Sequence, residues 1–351
     1  MRRRWLSAVL LGTSCLLGAS CASAGRPAAP EAGAAPVRPA EAPAAPTAAP
    51  APVALTINYA ARGTGHSGAW LAYEGGFFRE QGLDVTLTNI PSTSTVLQAM
   101  VAGQVQLSGI DASAAIQATV GGVDVVLLFA GANRPLHAVF AQPRITEPAA
   151  LRGGTIGITR PGSATHSAAK LALHLWGLVP DRDVAFRQLG QNTAILVALQ
   201  ADQIDAGLLS PPATTAARQS GYRELINLAT EGPEYPSVVV GALRPWVAAH
   251  EGVVQRVARA YARALARFRT DKPWALSVYR QYLALEDPAL LEEAYATFAS
   301  CCPALPYISE EGLGRLLADL AADEPALAGR QPSDFVDARF LRALEAEGFG
   351  Q

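Results

Sequence analysis

The feature that most constrains this chain is that its architecture occurs twice. Strand-like runs begin near Val53 (VALTINY), Leu83 (LDVTLTN) and Val105 (VQLSGI), with helical stretches over 67–81 and 94–102 between them. A second series begins near Thr155 (TIGI), Val184 (VAFRQL) and Ile204 (IDAGLL), with helical stretches over 163–176 and 193–200. Matched strands lie about 100 residues apart each time, although the residues themselves hardly match, so a topology recurs without a sequence repeat. Strands alternating with helices of this length form βαβ units, and βαβ units make parallel sheets. Two series therefore predict two α/β lobes, each a mainly parallel sheet flanked by helices.

Two further apolar runs, 137–141 (HAVFA) and 237–241 (SVVVG), stand where the chain passes from one series to the other. They predict two β-like crossover segments. Two crossings make a hinge, and a hinge between α/β lobes makes a closable cleft. From Arg244 onward the pattern is helical, over 245–270, 272–285, 289–299, 310–322 and 333–347, and these helices are expected to cover the first lobe. The expected organisation is a first lobe over 53–137 and 242–351 and a second over 138–241.

The N-terminus reads as an address. Met1 to Arg4 is a positively charged start, Trp5 to Leu17 an almost unbroken apolar run, and small residues follow. This is the pattern of a secretory signal, expected over 1–24. Leu17-Gly18-Ala19-Ser20-Cys21 resembles a bacterial lipobox, which implies lipidation of Cys21 and a membrane-anchored lipoprotein exported to the periplasm or cell surface. Ala22-Ser23-Ala24 would instead suit ordinary signal peptidase and a free product. Residues 25–52 hold 8 Pro and 12 Ala among 28 and cannot bury a core, so they read as a semi-extended tether.

Of 351 residues 50% are hydrophobic and the formal net charge is −2, which leaves no basic footprint for nucleic acid. Past the leader no uncharged apolar run is long enough to span a bilayer. Cys301 and Cys302 are adjacent and read as two buried thiols at a helix end. No zinc-type spacing appears, and the loops discussed below hold no cysteine nucleophile, so neither a metal nor a cofactor is expected.

Tyr73-Glu-Gly-Gly-Phe-Phe-Arg-Glu-Gln-Gly-Leu-Asp-Val85 combines an aromatic helix end with glycines where helix gives way to strand, at Gly82 and again at Gly103. This stretch resembles a signature of the substrate-binding proteins of nitrate, sulfonate and taurine type ABC transporters, a family that includes proteins similar to thiamine-pyrimidine precursor binders. Residues 99–105 and 199–206 resemble its two turns, one per lobe, with Gln106 in place of an aspartate and Asp202 in place of a glycine. The resemblance implies a two-lobe periplasmic-binding-protein type II fold. It also implies a monomeric, non-enzymatic protein that takes a small, anionic organic solute and hands it to ABC permease subunits. The alternatives are an enzyme on the same scaffold (a desulfinase or pyrimidine-precursor synthase) or a ligand-sensing partner of a receptor.

In open α/β sheets ligands sit beyond the carboxyl ends of the strands, where helix N-termini direct free N–H groups. The loops at those positions supply Arg62, His66 and Ser67, then Ser92, Thr93 and Ser94, then Asp111 and Ser113 in the first series. The second series supplies Arg160, Ser163, Thr165 and His166, then Asn192, then Ser210, and Asn133 precedes the first crossing. Ser, Thr and Asn also cap helices with no ligand present. Arg62, Arg134 and Arg160 outnumber Asp111 and suit an anion. Arg256, Arg259, Arg263 and Arg267 line one helix face, read either as solvated or as a contact for permease or lipid headgroups.

Overall fold

The computed structural model describes residues 51–350 apart from 91, 92 and 302. The signal over 1–24, Cys21, all but the end of the tether, Ser92 and Cys302 lie outside the described residues. The strands are β1 (Val53–Tyr59), β2 (Leu83–Thr88), β3 (Leu107–Asp111), β4 (Val125–Ala132), β5 (Ala138–Ala141), β6 (Thr155–Ile158), β7 (Ala185–Gln188), β8 (Ala206–Leu209), β9 (Arg223–Asn227) and β10 (Val238–Leu243). They form two five-stranded sheets with matching topology, in the orders β2-β1-β3-β10-β4 and β7-β6-β8-β5-β9.

In each sheet one strand runs against the rest. β10 is antiparallel to β3 and β4, and β5 is antiparallel to β8 and β9. This corrects the reading of 137–141 and 237–241 as crossover segments. Both runs are strands inside a sheet, because apolar residues this dense are driven into a two-faced core position. The crossings are the residues just before each, 133–137 and 228–237. Since β10 belongs to the first sheet, the second lobe ends before Val238 and not at 241.

The helices follow the sequence pattern with informative breaks. α1 (Ser67–Glu74) and α2 (Phe77–Glu80) replace the single helix expected over 67–81. Gly76 between them takes φ +74, which a β-carbon disfavours. α3 (Thr93–Val101), α4 (Ala112–Val120), α5 (Ala164–Leu175), α6 (Asn192–Gln200) and α7 (Ala213–Gln219) follow the strands in turn. The C-terminal part holds α8 (Arg244–Ala249), α9 (Glu251–Thr270), α10 (Lys272–Leu283), α11 (Pro288–Cys301), α12 (Glu310–Asp323) and α13 (Arg339–Ala346). Gly82 and Gly103 have φ +66 and +73, as a helix-to-strand turn requires.

α9 buries Val257, Tyr261, Leu265 and Phe268 in the first lobe's core with Trp70, Phe78 and Phe129. Its arginine face is knitted to the same lobe. Arg256 donates to the carbonyls of Gln81 and Gly82, Arg259 pairs with Glu347, Arg263 with Glu80, and Arg267 with Asp271. A lipid or permease contact through these arginines would have to break those bonds first.

Not every C-terminal helix is confined to the first lobe. Lys170 on α5 pairs with Asp323 on α12 at 2.5 Å, and α12 buries Leu313, Leu316 and Leu317 in a core that includes Ile156 and Leu171 of the second lobe. Gly131, at the end of β4, shows how tightly the site's supports are packed. A β-carbon there would fall inside contact distance of the Gly65 carbonyl oxygen and 2.9 Å from Val238 Cγ1. Gly131→Ala is therefore expected to destabilise the fold by about 1–3 kcal/mol, read as a lowered urea midpoint. An unchanged midpoint would show that the turn at Gly65 moves freely.

Candidate functional site

Apart from β4 and β9, which lead into the crossings, each parallel strand of both sheets ends where a helix begins, so the strand tips of the two lobes form the floor of one interlobe region. In the first lobe β1 runs into a tight helical turn, Thr64–His66, and then α1; β3 runs directly into α4. Asp111 caps α4 by accepting from Ala114 N at 3.0 Å and from Ser113 Oγ. In the second lobe β6 leads to α5, β7 to α6 and β8 to α7. The lobes touch where α4 and α5 start, Ser113 Oγ lying 3.1 Å from Ser167 Oγ.

A groove of about 760 Å³ opens at that contact. Ser113, His166, Ser167, Lys170, Tyr235 and Asp319 are among its lining, so it draws on α4, α5, the second crossing and α12. His166 Nδ1 accepts from Gly162 N at 3.0 Å, which places the neutral ring's proton on Nε2 as a donor. Burial holds its pKa below the ordinary value, helped by the charge of Lys170. Ser163 stands at the N-cap of α5 but makes no capping bond there; its hydroxyl donates to Arg160 O at 2.7 Å. The Ser163 side chain thus leaves the N–H groups of Ala164 and Thr165 without a side-chain cap, while those of His166 and Ser167 go to the Ser163 carbonyl.

The acids behave differently. Burial raises the pKa of Asp111 even though the residue as a whole is only half-buried, and the bonds from Ser113 and Ala114 oppose that rise. Asp319 is likewise raised by burial. The Tyr235 hydroxyl is raised by burial and by the neighbouring charges of Asp319 and Asp111. With Lys170 paired to Asp323, the groove carries no excess of free cations, and an anion there would depend on helix N–H groups, hydroxyls and the His166 Nε2–H.

The other expected site residues divide sharply. Ser67 is fully buried, donating to Thr64 O at 2.5 Å and bonded to Tyr279 OH at 2.8 Å, so it is a core residue. Thr165 is 4% exposed and accepts from Thr159 N, closing the strand-to-helix turn. His66 is 8% exposed, faces Gly109 so closely that a β-carbon there would collide with it, and is driven by burial to a pKa of about 4. Asn133 is a hinge fastener: its amide donates to Tyr307 O at 2.7 Å and accepts from Ser309 N at 2.9 Å. Arg62 and Arg160 are exposed, and neither lines the groove. The helix α3 begins at Thr93, but the side chains of Thr93 and Ser94 are outside the description.

Asn192 donates to Ser210 Oγ, while its Oδ1 is buried without a partner among the described residues. His137, the residue just before β5, has an equally unpartnered Nδ1 among the described residues. Buried polar atoms left unpaired are uncommon and call for an occupant or a strain. Sequence reading missed His137, Ser167, Tyr235 and Asp319. Ser167 was within reach, one position beyond the loop ending at His166. Tyr235 and Asp319 come from segments whose local pattern signals nothing. Among the described residues no group of His, Cys, Asp or Glu is placed to hold a metal ion.

A search of curated proteins finds no match to the sequence. Solved structures share the fold. The periplasmic aliphatic sulphonate binding protein SsuA from Escherichia coli is 21% identical, with 80% of this chain and 95% of that one covered at a TM-score of 0.65. The alkanesulfonate-binding protein SsuA from Xanthomonas axonopodis pv. citri, bound to MOPS, is 22% identical with coverage of 83% and 100% and a TM-score of 0.65. A point mutant of DszB in complex with biphenyl-2-sulfinic acid is 16% identical with coverage of 84% and 99% and a TM-score of 0.62. The mixed sheets of both lobes are those of the type II periplasmic-binding-protein fold. The family model described as NMT1/THI5 like matches residues 63–273, and the chain belongs to that family.

Proposed function

We propose that this protein is an extracytoplasmic solute-binding protein that captures a small anionic organic solute, of sulfonate type, between its lobes and delivers it to an ABC permease. The observation that carries this reading is the Ser113–Ser167 contact, which brings the start of one helix from each lobe to a single point beside a groove of about 760 Å³. A solute seated there touches both lobes, so its extra contacts stabilise the closed arrangement. The N–H groups of Ala164 and Thr165, the Ser167 hydroxyl and the His166 Nε2–H supply donors for an oxyanion.

Sulfonate ligands of the two SsuA proteins support the solute class, and the charged leader with Cys21 supports export and a lipid tether. An enzymatic role is disfavoured by the donor set. The described loops at the strand tips offer no cysteine, and His66 is shut in the core.

Thermal melting of the purified protein with alkyl and aryl sulfonates, nitrate, bicarbonate and pyrimidines tests the proposal. A ligand at a hundred times its Kd is expected to add about 2.7 kcal/mol. Because Ser67 and Thr165 are internal, the informative variant is Ser113→Ala with Ser167→Ala, which should abolish that shift while the ligand-free melting temperature holds. Stabilisation by cations alone, or conversion of the bound compound to product, would refute the reading.

A further inference from the structure

Glu293 belongs to α11, which is buried against the first lobe through Leu291, Ala294 and Phe298, yet its carboxylate reaches the second lobe. It accepts from Thr214 Oγ1 at 2.9 Å, from Thr215 Oγ1, and from Arg218 Nη1 at 2.6 Å, all on α7. Thr214 is 3% exposed and the Glu293 side chain 20%, so water competes poorly for the threonine bonds, while Arg218 is 40% exposed and its bond is open to solvent. Arg218 is held from its own side by Glu224 at 2.6 Å and lies 5.5 Å from the centre of the Phe140 ring. The face of α7 toward the first lobe is therefore a three-donor receptor for one carboxylate.

We propose that Glu293 and this α7 receptor form a clasp that holds the lobes together when no solute is bound. The three bonds join two bodies that the chain links through the crossings at 133–137 and 228–237. Where the lobes separate at this boundary, the three bonds break as a unit. α12 makes the complementary contacts at the other end of the lobe boundary, through Lys170–Asp323 and His174–Asp319. The clasp rests on the proposed cleft in one respect, since it presumes lobes that separate. Its consequence is quantitative. A solute that requires the closed form binds more weakly by the fraction of molecules that lose it, on the order of tenfold for a charge-assisted contact of this kind.

Small-angle scattering and amide hydrogen exchange on the solute-free protein test the clasp without any ligand. Glu293→Ala is expected to enlarge the radius of gyration and to speed exchange in the first turn of α7 on the order of tenfold. Glu293→Gln, which keeps the shape and loses the charge, should do the same more weakly, and it carries the test should the alanine variant fail to fold. Adding Arg218→Ala to Glu293→Ala should change little, because its interlobe partner is already gone. Wild-type dimensions and exchange in both Glu293 variants would overturn the clasp, as would full additivity with Arg218→Ala or a wild-type protein already expanded without solute. Absence of any ligand in the melting screen would refute solute capture while leaving these readings on the clasp intact.

Discussion

Between pH 7 and pH 4 the folded state is expected to lose on the order of 3 kcal/mol of stability through His66 alone. Its imidazole is buried on all sides, and burial lowers its pKa from 6.5 to about 4. Above pH 6.5 the ring is neutral in folded and unfolded chains alike and contributes no pH dependence. Between 6.5 and about 4 the unfolded chain takes up a proton that the folded chain refuses, so stability falls with pH and levels off below about 4. His137 is lowered to about 4 for the same reason, but the residue is only half-buried, and its share is smaller than the shift alone implies. Asp111 and Asp319 act in the opposite direction. Their raised values mean that the folded state binds protons before the unfolded one does, which offsets part of the loss near the bottom of this window. Urea midpoints of the wild type and of His66→Gln, measured from pH 7.5 to 4.2, should converge as pH falls, the variant losing less. Parallel curves would show that the ring titrates normally and that its burial is not maintained.

The fold was largely legible because its signals are local. A period of two in VALTINY, a period of 3.6 in the helices and a glycine at each helix-to-strand turn all report on neighbours in sequence. The departure at Asp202 illustrates the point. Where Gly103 takes φ +73 in the first lobe, Asp202 takes φ +52 in the second, and Arg144 pairs with its carboxylate at 2.6 Å. Strand direction was not legible. HAVFA and SVVVG are equally apolar as crossover or as core strand, and only the ladder partners of β5 and β10 decide.

The site was half legible for a chemical reason. A hydroxyl before a helix can cap it or bind a solute with the same atoms, and nothing in sequence tells Ser67, spent on Thr64 and Tyr279, from Ser113, which faces the other lobe. The groove's far wall could not be read at all. Asp319 and Tyr235 enter it from segments more than a hundred residues beyond Ser113, and Glu293 crosses the lobes from a helix whose pattern is ordinary.

Replacing Trp70 by alanine is expected to destabilise the protein by roughly 3–5 kcal/mol, a fall in melting temperature on the order of 10 °C. The indole is fully buried in α1, stacked on Tyr282 with ring centres 5.0 Å apart and meeting Tyr59 edge-on at 5.5 Å. Removing it leaves a cavity between β1, α1 and α10 that a closely packed sheet cannot collapse to fill. Trp70→Phe separates volume from polarity. The indole Nε1 is buried without a partner among the described residues, so phenylalanine deletes an unsatisfied donor along with part of the ring. The loss should shrink to about 1–2 kcal/mol, below what the missing volume alone would predict. The same ring lies 6.4 Å from His66, at the turn that opens α1. Trp70→Ala should therefore also raise the exposure of His66 and flatten the acid profile, whereas Trp70→Phe should leave that profile as it is. A Trp70→Ala protein with wild-type acid sensitivity would mean that α1 and the His66 turn hold their place without the indole between them.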